Sequence, residues 1–118
     1  MGKLSHIALI VRDPQRSAQL FADAFGADIS MPTWDTGGRE ERVIRLFGIE
    51  CVFAQGEGPA QRSGDHIGFA VSAPDLLAYK ARLVELGIEV EMVRGDSALY
   101  FSDYDNHLFE LDSYQGWL

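Results

Sequence analysis

The sequence predicts an α+β fold made of two βαβββ modules in one chain. The segment 5–14 (SHIALIVRDP) is echoed sixty residues later by the segment 65–74 (DHIGFAVSAP). A helical apolar pattern follows each copy, and three runs rich in β-branched and aromatic residues follow each helix. An internal repeat of this kind indicates two copies of one supersecondary unit.

Each predicted helix has the same set of end signals. Apolar residues recur at spacings of three and four, as in Leu20, Phe21 and Ala24 of the first module and Leu76, Leu83 and Leu86 of the second. Each helix is preceded by a capping residue, has a proline in its first turn and ends at a glycine. These residues are Asp13, Pro14 and Gly26 in the first module and Ser72, Pro74 and Gly87 in the second.

The remaining strands and the linker follow from alternation and from turn residues. Strands are predicted over 28–34, 39–46 and 49–55, and over 88–93, 97–102 and 107–113. The stretch 56–64 is rich in glycine and proline and predicts a linker between a module at 1–56 and a module at 65–118. Because about 60 residues is close to the lower limit for an independent core, we expect residues 1–118 to form one domain.

Composition excludes several classes of function. The 118 residues carry 10 Lys and Arg against 18 Asp and Glu, a net charge of −8, with no basic stripe for nucleic acid. No apolar run approaches the roughly 20 residues that span a bilayer, and the N-terminus lacks a signal-peptide pattern. Cys51 is the single cysteine, predicted to be a buried hydrophobe, so we expect a protein of the reducing cytoplasm without a membrane partner.

Two histidines occupy matching positions of the repeat. Because side chains alternate along a strand, His6 shares a face with Ala8, and His66 shares one with Gly68. The small neighbours leave room above both imidazoles, which predicts a cavity. His107, three residues from Glu110, is predicted to point to the opposite face and to lie at the surface.

A carboxylate completes a candidate metal site. In the last strand, Glu110 alternates with Phe109 and Leu111, and burial of an unpaired carboxylate would be very costly. Each of His6, His66 and Glu110 could alone be an ordinary core or rim residue. Together, two imidazoles and a carboxylate form a set that holds a divalent ion while leaving positions open for water or substrate.

At this point the chain resembles the vicinal oxygen chelate superfamily, which includes glyoxalase I, extradiol dioxygenases, bleomycin-binding proteins and fosfomycin-resistance enzymes. The resemblance is carried by the segments 5–13, 61–67 (QRSGDHI) and 99–111 (LYFSDYDNHLFEL). It is closest to the hydrolase-type fosfomycin-resistance proteins. It implies half-barrel sheets and a homodimer in which His6 of one chain shares the site with His66 and Glu110 of the other.

The resemblance also implies a chemistry. A divalent ion, typically manganese, with nickel, zinc and iron as alternatives, would chelate a small oxygen-rich electrophile and act as a Lewis acid. Glu41 matches the glutamate that activates water, and Glu40 is the neighbouring alternative. Tyr100 and Arg94 match positions that bind the substrate.

Three departures keep other functions open. The family's basic loop is reduced to 93–97, and its arginine after the last strand would fall beyond Leu118, so we expect a site with little positive charge. Glu50 lies where glyoxalase I places a fourth metal ligand, which suggests a lyase or isomerase. A thiol transferase and a non-catalytic antibiotic-binding protein are the remaining alternatives.

Overall fold

The computed structural model describes residues 1–117 and contains two four-stranded sheets, each with one helix. The first module contains β1 (His6–Val11), α1 (Pro14–Phe25), β2 (Ile29–Ser30), β3 (Glu41–Leu46) and β4 (Ile49–Gln55). The second contains β5 (His66–Ala70), α2 (Ala73–Glu85), β6 (Val90–Val93), β7 (Ala98–Ser102) and β8 (Leu108–Asp112), followed by a short 3₁₀ turn, Gln115–Trp117. The chain divides into two compact units between Gly58 and Pro59.

Both sheets have the same topology. Their strand orders are β1-β4-β3-β2 and β5-β8-β7-β6. β1 pairs with β4 and β5 with β8 in parallel, and all the other neighbouring strands pair antiparallel. The predicted α+β fold of two βαβββ modules is therefore confirmed.

The helix ends follow the predicted signals. The Asp13 carboxylate accepts a hydrogen bond from the Arg16 amide (3.1 Å), and the Ser72 hydroxyl accepts one from the Asp75 amide (3.2 Å). Gly26 closes α1 at a φ of 73°. After α2, the amide of Ile88 donates to the Leu83 carbonyl (2.9 Å), so this residue completes the helix end instead of starting a strand at 88.

Each unit has its own core on the helix-facing side of its sheet. Phe21, Ile44 and Phe53 are fully buried in the first unit, and Leu83, Phe101 and Phe109 are at most 1% exposed in the second. The predicted apolar face of α2 is only partly used. Leu76 and Leu83 are buried, whereas Leu86 is 38% exposed.

The structure corrects two strand boundaries in the first module. The strand predicted over 28–34 is limited to Ile29–Ser30, because Pro32, which an extended register would place opposite Glu41, has no amide proton to donate to β3. The strand predicted from 39 begins at Glu41, because Gly37 and Gly38 form a turn with φ angles of 67° and 85°. Among residues 1–117, neither helix is long and apolar enough to cross a membrane.

Candidate metal centre

His66 and Glu110 lie side by side on the open face of the second sheet. The parallel register of β5 and β8 places Gly68 opposite Glu110, and His66 lies two residues earlier on the same face. A Cβ at Gly68 would lie 3.5 Å from the Glu110 Oε1 atom, so no side chain separates the carboxylate from the imidazole. The His66 Nε2 atom is 3.2 Å from Glu110 Oε1.

The second nitrogen of His66 is held by the backbone. Its Nδ1 atom lies 3.0 Å from the carbonyl oxygen of Gly64. A carbonyl oxygen only accepts hydrogen bonds, so Nδ1 carries the proton and donates it. In the neutral imidazole this leaves the lone pair on Nε2, the atom that faces Glu110. Histidines that bind metals usually have their other nitrogen fixed in this way.

The spacing of the two atoms fits a metal ion. Two ligand atoms at adjacent positions of an octahedral ion, with bonds of about 2.1 Å, are about 3.0 Å apart. The observed separation of Nε2 and Oε1 is 3.2 Å. Tyr100 borders the pair, with its ring edge-on to that of His66 at a centroid distance of 5.2 Å.

Glu110 is buried, and its charge is balanced. The residue is 8% exposed, and its Oε2 atom accepts a hydrogen bond from the guanidinium of Arg94. The same guanidinium nitrogen is 3.3 Å from Asp112 Oδ2. Hydrogen bonding to Tyr100, followed by the hydrogen bond and charge of Glu110, raises the pKa of Arg94. The compensation that a buried carboxylate requires thus comes from Arg94.

Asp112 connects this cluster to the C-terminal segment. The Trp117 indole nitrogen donates to Asp112 Oδ2 (2.9 Å), and the Tyr114 amide donates to Oδ1 (2.9 Å). Burial alone would raise the pKa of Asp112, but these hydrogen bonds and Arg94 outweigh it and lower the pKa. Trp117 therefore forms one wall of a cavity of about 410 Å³ that also exposes His66, Gly68 and Glu110.

The first sheet carries a different histidine–carboxylate arrangement. His6 lies directly opposite Glu50 in the parallel register of β1 and β4, and its Nδ1 atom is 2.8 Å from the Ser5 hydroxyl. Glu50 is paired with Arg45 at 2.7 Å, and both side chains are substantially exposed, 41% and 64%. This carboxylate is therefore neither buried nor dependent on the histidine.

Glu41 lies on the same face of the first sheet as His6. It shares this face with Val43, because both alternate with Arg42 along β3. The Trp34 indole nitrogen donates to Glu41 Oε1 at 3.0 Å. Arg42 points to the helix side instead, where it donates to Gln15 (2.9 Å), and it pairs with Glu40 at 3.4 Å. Alternation along β3 thus places Glu41 on the face of His6, whereas Arg42, the partner of Glu40, points to the helix side.

A cavity of about 600 Å³ opens on this face of the first unit. Its lining combines polar groups with apolar walls: Ser5, His6, Ser30, Met31, Thr33, Trp34, Val43, Glu50 and Val52. The predicted space above the first histidine is therefore present. Cys51 lies on the opposite face and is 2% exposed, as predicted. Burial, and then Glu50, raise the pKa of its thiol to about 11.

Of the predicted site residues, the second unit brings together His66, Glu110, Tyr100 and Arg94, whereas His6, Glu50 and Glu41 belong to the first. Within residues 1–117, no group of three or more His, Cys, Asp or Glu side chains is arranged to hold a metal. The three-residue ligand set stays a prediction.

Sequence reasoning missed three contributors and misplaced one histidine. Asp112 could have been found, because its alternation with Leu111 places it on the face of Glu110, but the Gly64 carbonyl and Trp117 gave no signal. The surface position predicted for His107 is wrong. Its side chain is only 12% exposed, because Nδ1 bonds the buried Asp103 carboxylate at 2.8 Å within the β7–β8 hairpin.

The fold and this site define a class of protein. Residues 3–111 match the model of the glyoxalase/bleomycin resistance protein/dioxygenase superfamily, and the chain belongs to that family. The match covers both modules.

Within the family, the chain is similar to fosfomycin resistance proteins called FosX. The protein from Listeria innocua is 33% identical over 115 residues, which cover 92% of this chain and 86% of the relative. The crystal structure of FosX from Mesorhizobium loti superimposes with a TM-score of 0.83 at 31% identity, covering 96% of this chain and 92% of that one. A Listeria monocytogenes FosX mutant, solved with Mn(II) and 1S,2S-dihydroxypropylphosphonic acid, gives 0.80 at 28% identity, covering 95% and 92%.

Proposed function

We propose that this protein is a divalent-metal-dependent enzyme that opens the epoxide of fosfomycin, or of a closely related phosphonate, with water. The observation that carries the proposal is the His66–Glu110 pair, with its 3.2 Å spacing and its histidine oriented by Gly64. The similarity to FosX proteins over most of both chains supports the substrate class.

The ligands of one relative support the type of reaction. The Listeria monocytogenes structure contains Mn(II) and a dihydroxypropylphosphonic acid. A vicinal diol is the product expected when water opens an epoxide of the same carbon skeleton. Manganese is therefore the metal we propose, and water is the proposed nucleophile. When bound, a divalent ion supplies Lewis-acid polarisation of the substrate oxygens.

We propose His6, His66 and Glu110 as the metal ligands. Family resemblance provides the argument for His6, since His6 and His66 occupy equivalent positions at the start of β1 and β5. The same resemblance suggests a homodimer whose chains share each site. If so, dilution that dissociates the dimer is expected to weaken Mn(II) binding, whereas a monomer with full affinity would contradict the shared site.

Glu41 is the proposed general base. Its carboxylate is half-buried, and one oxygen accepts a hydrogen bond from Trp34. The other oxygen remains to take a proton from the attacking water. Tyr100, which borders His66, is the proposed substrate contact in the second unit. The predicted contact of Arg94 with the substrate stays a prediction, since its charge already faces two carboxylates.

The test is phosphorus NMR of fosfomycin incubated with the purified protein and Mn(II), with and without glutathione. We expect conversion to the diol without thiol, dependent on metal, and loss of conversion in Glu41→Gln. The matched control is Glu40→Gln, because Glu40 is adjacent and pairs with Arg42 on the helix side. Conversion only with glutathione would instead identify a thiol transferase.

A glyoxalase-like reaction is the second candidate because His6 and Glu50 are directly opposite in the β1–β4 register. It requires Glu50 to leave Arg45 and to join the metal ligands. Lack of fosfomycin conversion by a protein that binds Mn(II), together with loss of metal affinity in Glu50→Gln, would favour this candidate and chelating carbonyl substrates.

A further inference from the structure

We propose that Arg94 is a positioning residue of the metal centre, whose guanidinium fixes Glu110 so that one carboxylate oxygen faces His66. The inference rests on the proposed function, because it assigns a role toward the metal that His66 and Glu110 would hold. It concerns a residue that the family resemblance assigns instead to the substrate.

The two oxygens of Glu110 have separate partners. Oε2 accepts the hydrogen bond from Arg94, and Oε1 lies 3.2 Å from His66 Nε2. A carboxylate bound through one oxygen has lost the freedom to rotate the other away. Arg94 therefore orients the ligand oxygen without occupying the space between Oε1 and Nε2, so an ion and the guanidinium can be bound at the same time.

Asp112 is a second partner of the guanidinium. Its Oδ2 atom is 3.3 Å from the same Arg94 nitrogen and also accepts the hydrogen bond from Trp117. The position of Arg94 is thus fixed by two carboxylates on adjacent same-face positions of β8. Arg94 is itself 50% exposed, so this arrangement depends on these contacts more than on burial.

The positive charge of Arg94 provides an alternative explanation that predicts the opposite effect on metal affinity. A cation near a metal site repels a divalent ion, so an arginine that merely happens to be nearby would weaken binding, and its removal would tighten it. A positioning arginine has the opposite effect, because its removal frees Glu110 to rotate. The direction of the change in metal affinity therefore separates the two roles.

The experiment is a titration of the metal-free full chain with Mn(II) in the absence of substrate. The concentration of free Mn(II) is measured at each step by electron paramagnetic resonance. Arg94→Met removes the charge and the donors but keeps an extended side chain. We expect its Mn(II) affinity to fall about 10- to 100-fold, the range typical for loss of a group that orients a metal ligand. Arg94→Lys retains a cationic donor and is expected to recover part of that loss.

Arg82→Met is the matched control, because Arg82 is exposed on α2 of the same unit. We expect its affinity to change less than about twofold. Near-ultraviolet circular dichroism and a thermal melt check that each variant is folded, and if Arg94→Met does not fold, Arg94→Gln, which also removes the charge, replaces it. Affinity equal to or tighter than wild type in the folded uncharged variant overturns the proposal. Failure of the wild type itself to bind Mn(II) overturns the proposed function as well.

Discussion

Each module carries a histidine and a carboxylate on the same face of its sheet. The two carboxylates differ in their position along the strand and in how far they are buried. Glu50 is at the level of His6, is 41% exposed at its side chain and pairs with Arg45. Glu110 is two residues further along its strand, is 11% exposed at its side chain, faces His66 and accepts a hydrogen bond from Arg94. The two carboxylates are of the same residue type, so burial and local counter-charge are what distinguish them.

Register explains why the repeat is misleading at this point. The sixty-residue offset of the sequence aligns Glu50 with Glu110. The strand pairing does not, because Val52 lies opposite Ala8, the counterpart of Gly68. Counted along the chain, Val52 is 46 residues after His6, whereas Glu110 is 44 residues after His66. The second module is therefore two residues shorter between these equivalent positions, and this shifts the carboxylate by two positions while preserving its face.

The largest expected effect contrasts the two carboxylates directly. Glu110→Gln is expected to weaken Mn(II) binding more than about 100-fold, because it removes a negatively charged proposed ligand. Glu50→Gln is expected to change the affinity less than about threefold, because Glu50 is exposed and paired with Arg45. Isothermal titration calorimetry with Mn(II) measures both, and equal losses in the two variants would contradict the comparison.

Cys51 tests whether the opposite face of β4 is as closed as the structure indicates. The thiol is 2% exposed and has its pKa raised to about 11, so about one molecule in a thousand would carry a thiolate at pH 8. We expect a thiol reagent to modify the folded protein about 100-fold more slowly than the urea-unfolded chain at that pH. Reaction at the same rate in both states would show that this face is open.

The Val52→Glu substitution measures how much a buried carboxylate without a counter-charge lowers the free energy of unfolding. The new side chain would occupy the place of Glu110 in the first module, at a position that is 6% exposed. We expect the free energy of unfolding to fall by about 2 kcal/mol at pH 7, measured by urea denaturation. Burial raises the pKa of such a carboxyl, so the loss should shrink as the pH falls below that raised pKa.

Val52→Gln is the control for this substitution, because it has nearly the same size as glutamate without the charge. It is expected to be less destabilising and to lack the pH dependence. A Val52→Glu protein as stable as the wild type would show that this part of the cavity is hydrated, and that counter-charge is not what distinguishes the two modules.

The smallest expected effect is at the exposed ion pair of the first module. Arg45→Met should lower the free energy of unfolding by less than about 1 kcal/mol, because both partners are solvated. The difference should decrease further when salt is added. A larger loss in urea denaturation would mean that Glu50 is held as firmly as Glu110, and it would weaken the contrast between the modules.

The sequence by itself determined most of the architecture. The repeat, the capping residues and the alternating runs predicted two βαβββ modules, because these features depend on local backbone geometry and on period-two or period-3.6 burial. Alternation also predicted that His66 shares a face with Gly68 and that Glu110 points away from Phe109 and Leu111. Where a local signal was overlooked, as at Pro32, the predicted strand was too long.

Only the tertiary structure decided how the polar groups are paired. Strand register placed Glu110 opposite Gly68, and the β6–β7 turn brought Arg94 to Glu110 Oε2. The carbonyl of Gly64 and the indole of Trp117 act through atoms whose positions depend on the fold, so sequence patterns carry no record of them. Hydrogen bonds require partners within about 3 Å in a particular direction, and residue type and periodicity do not fix such distances between separate segments of a chain.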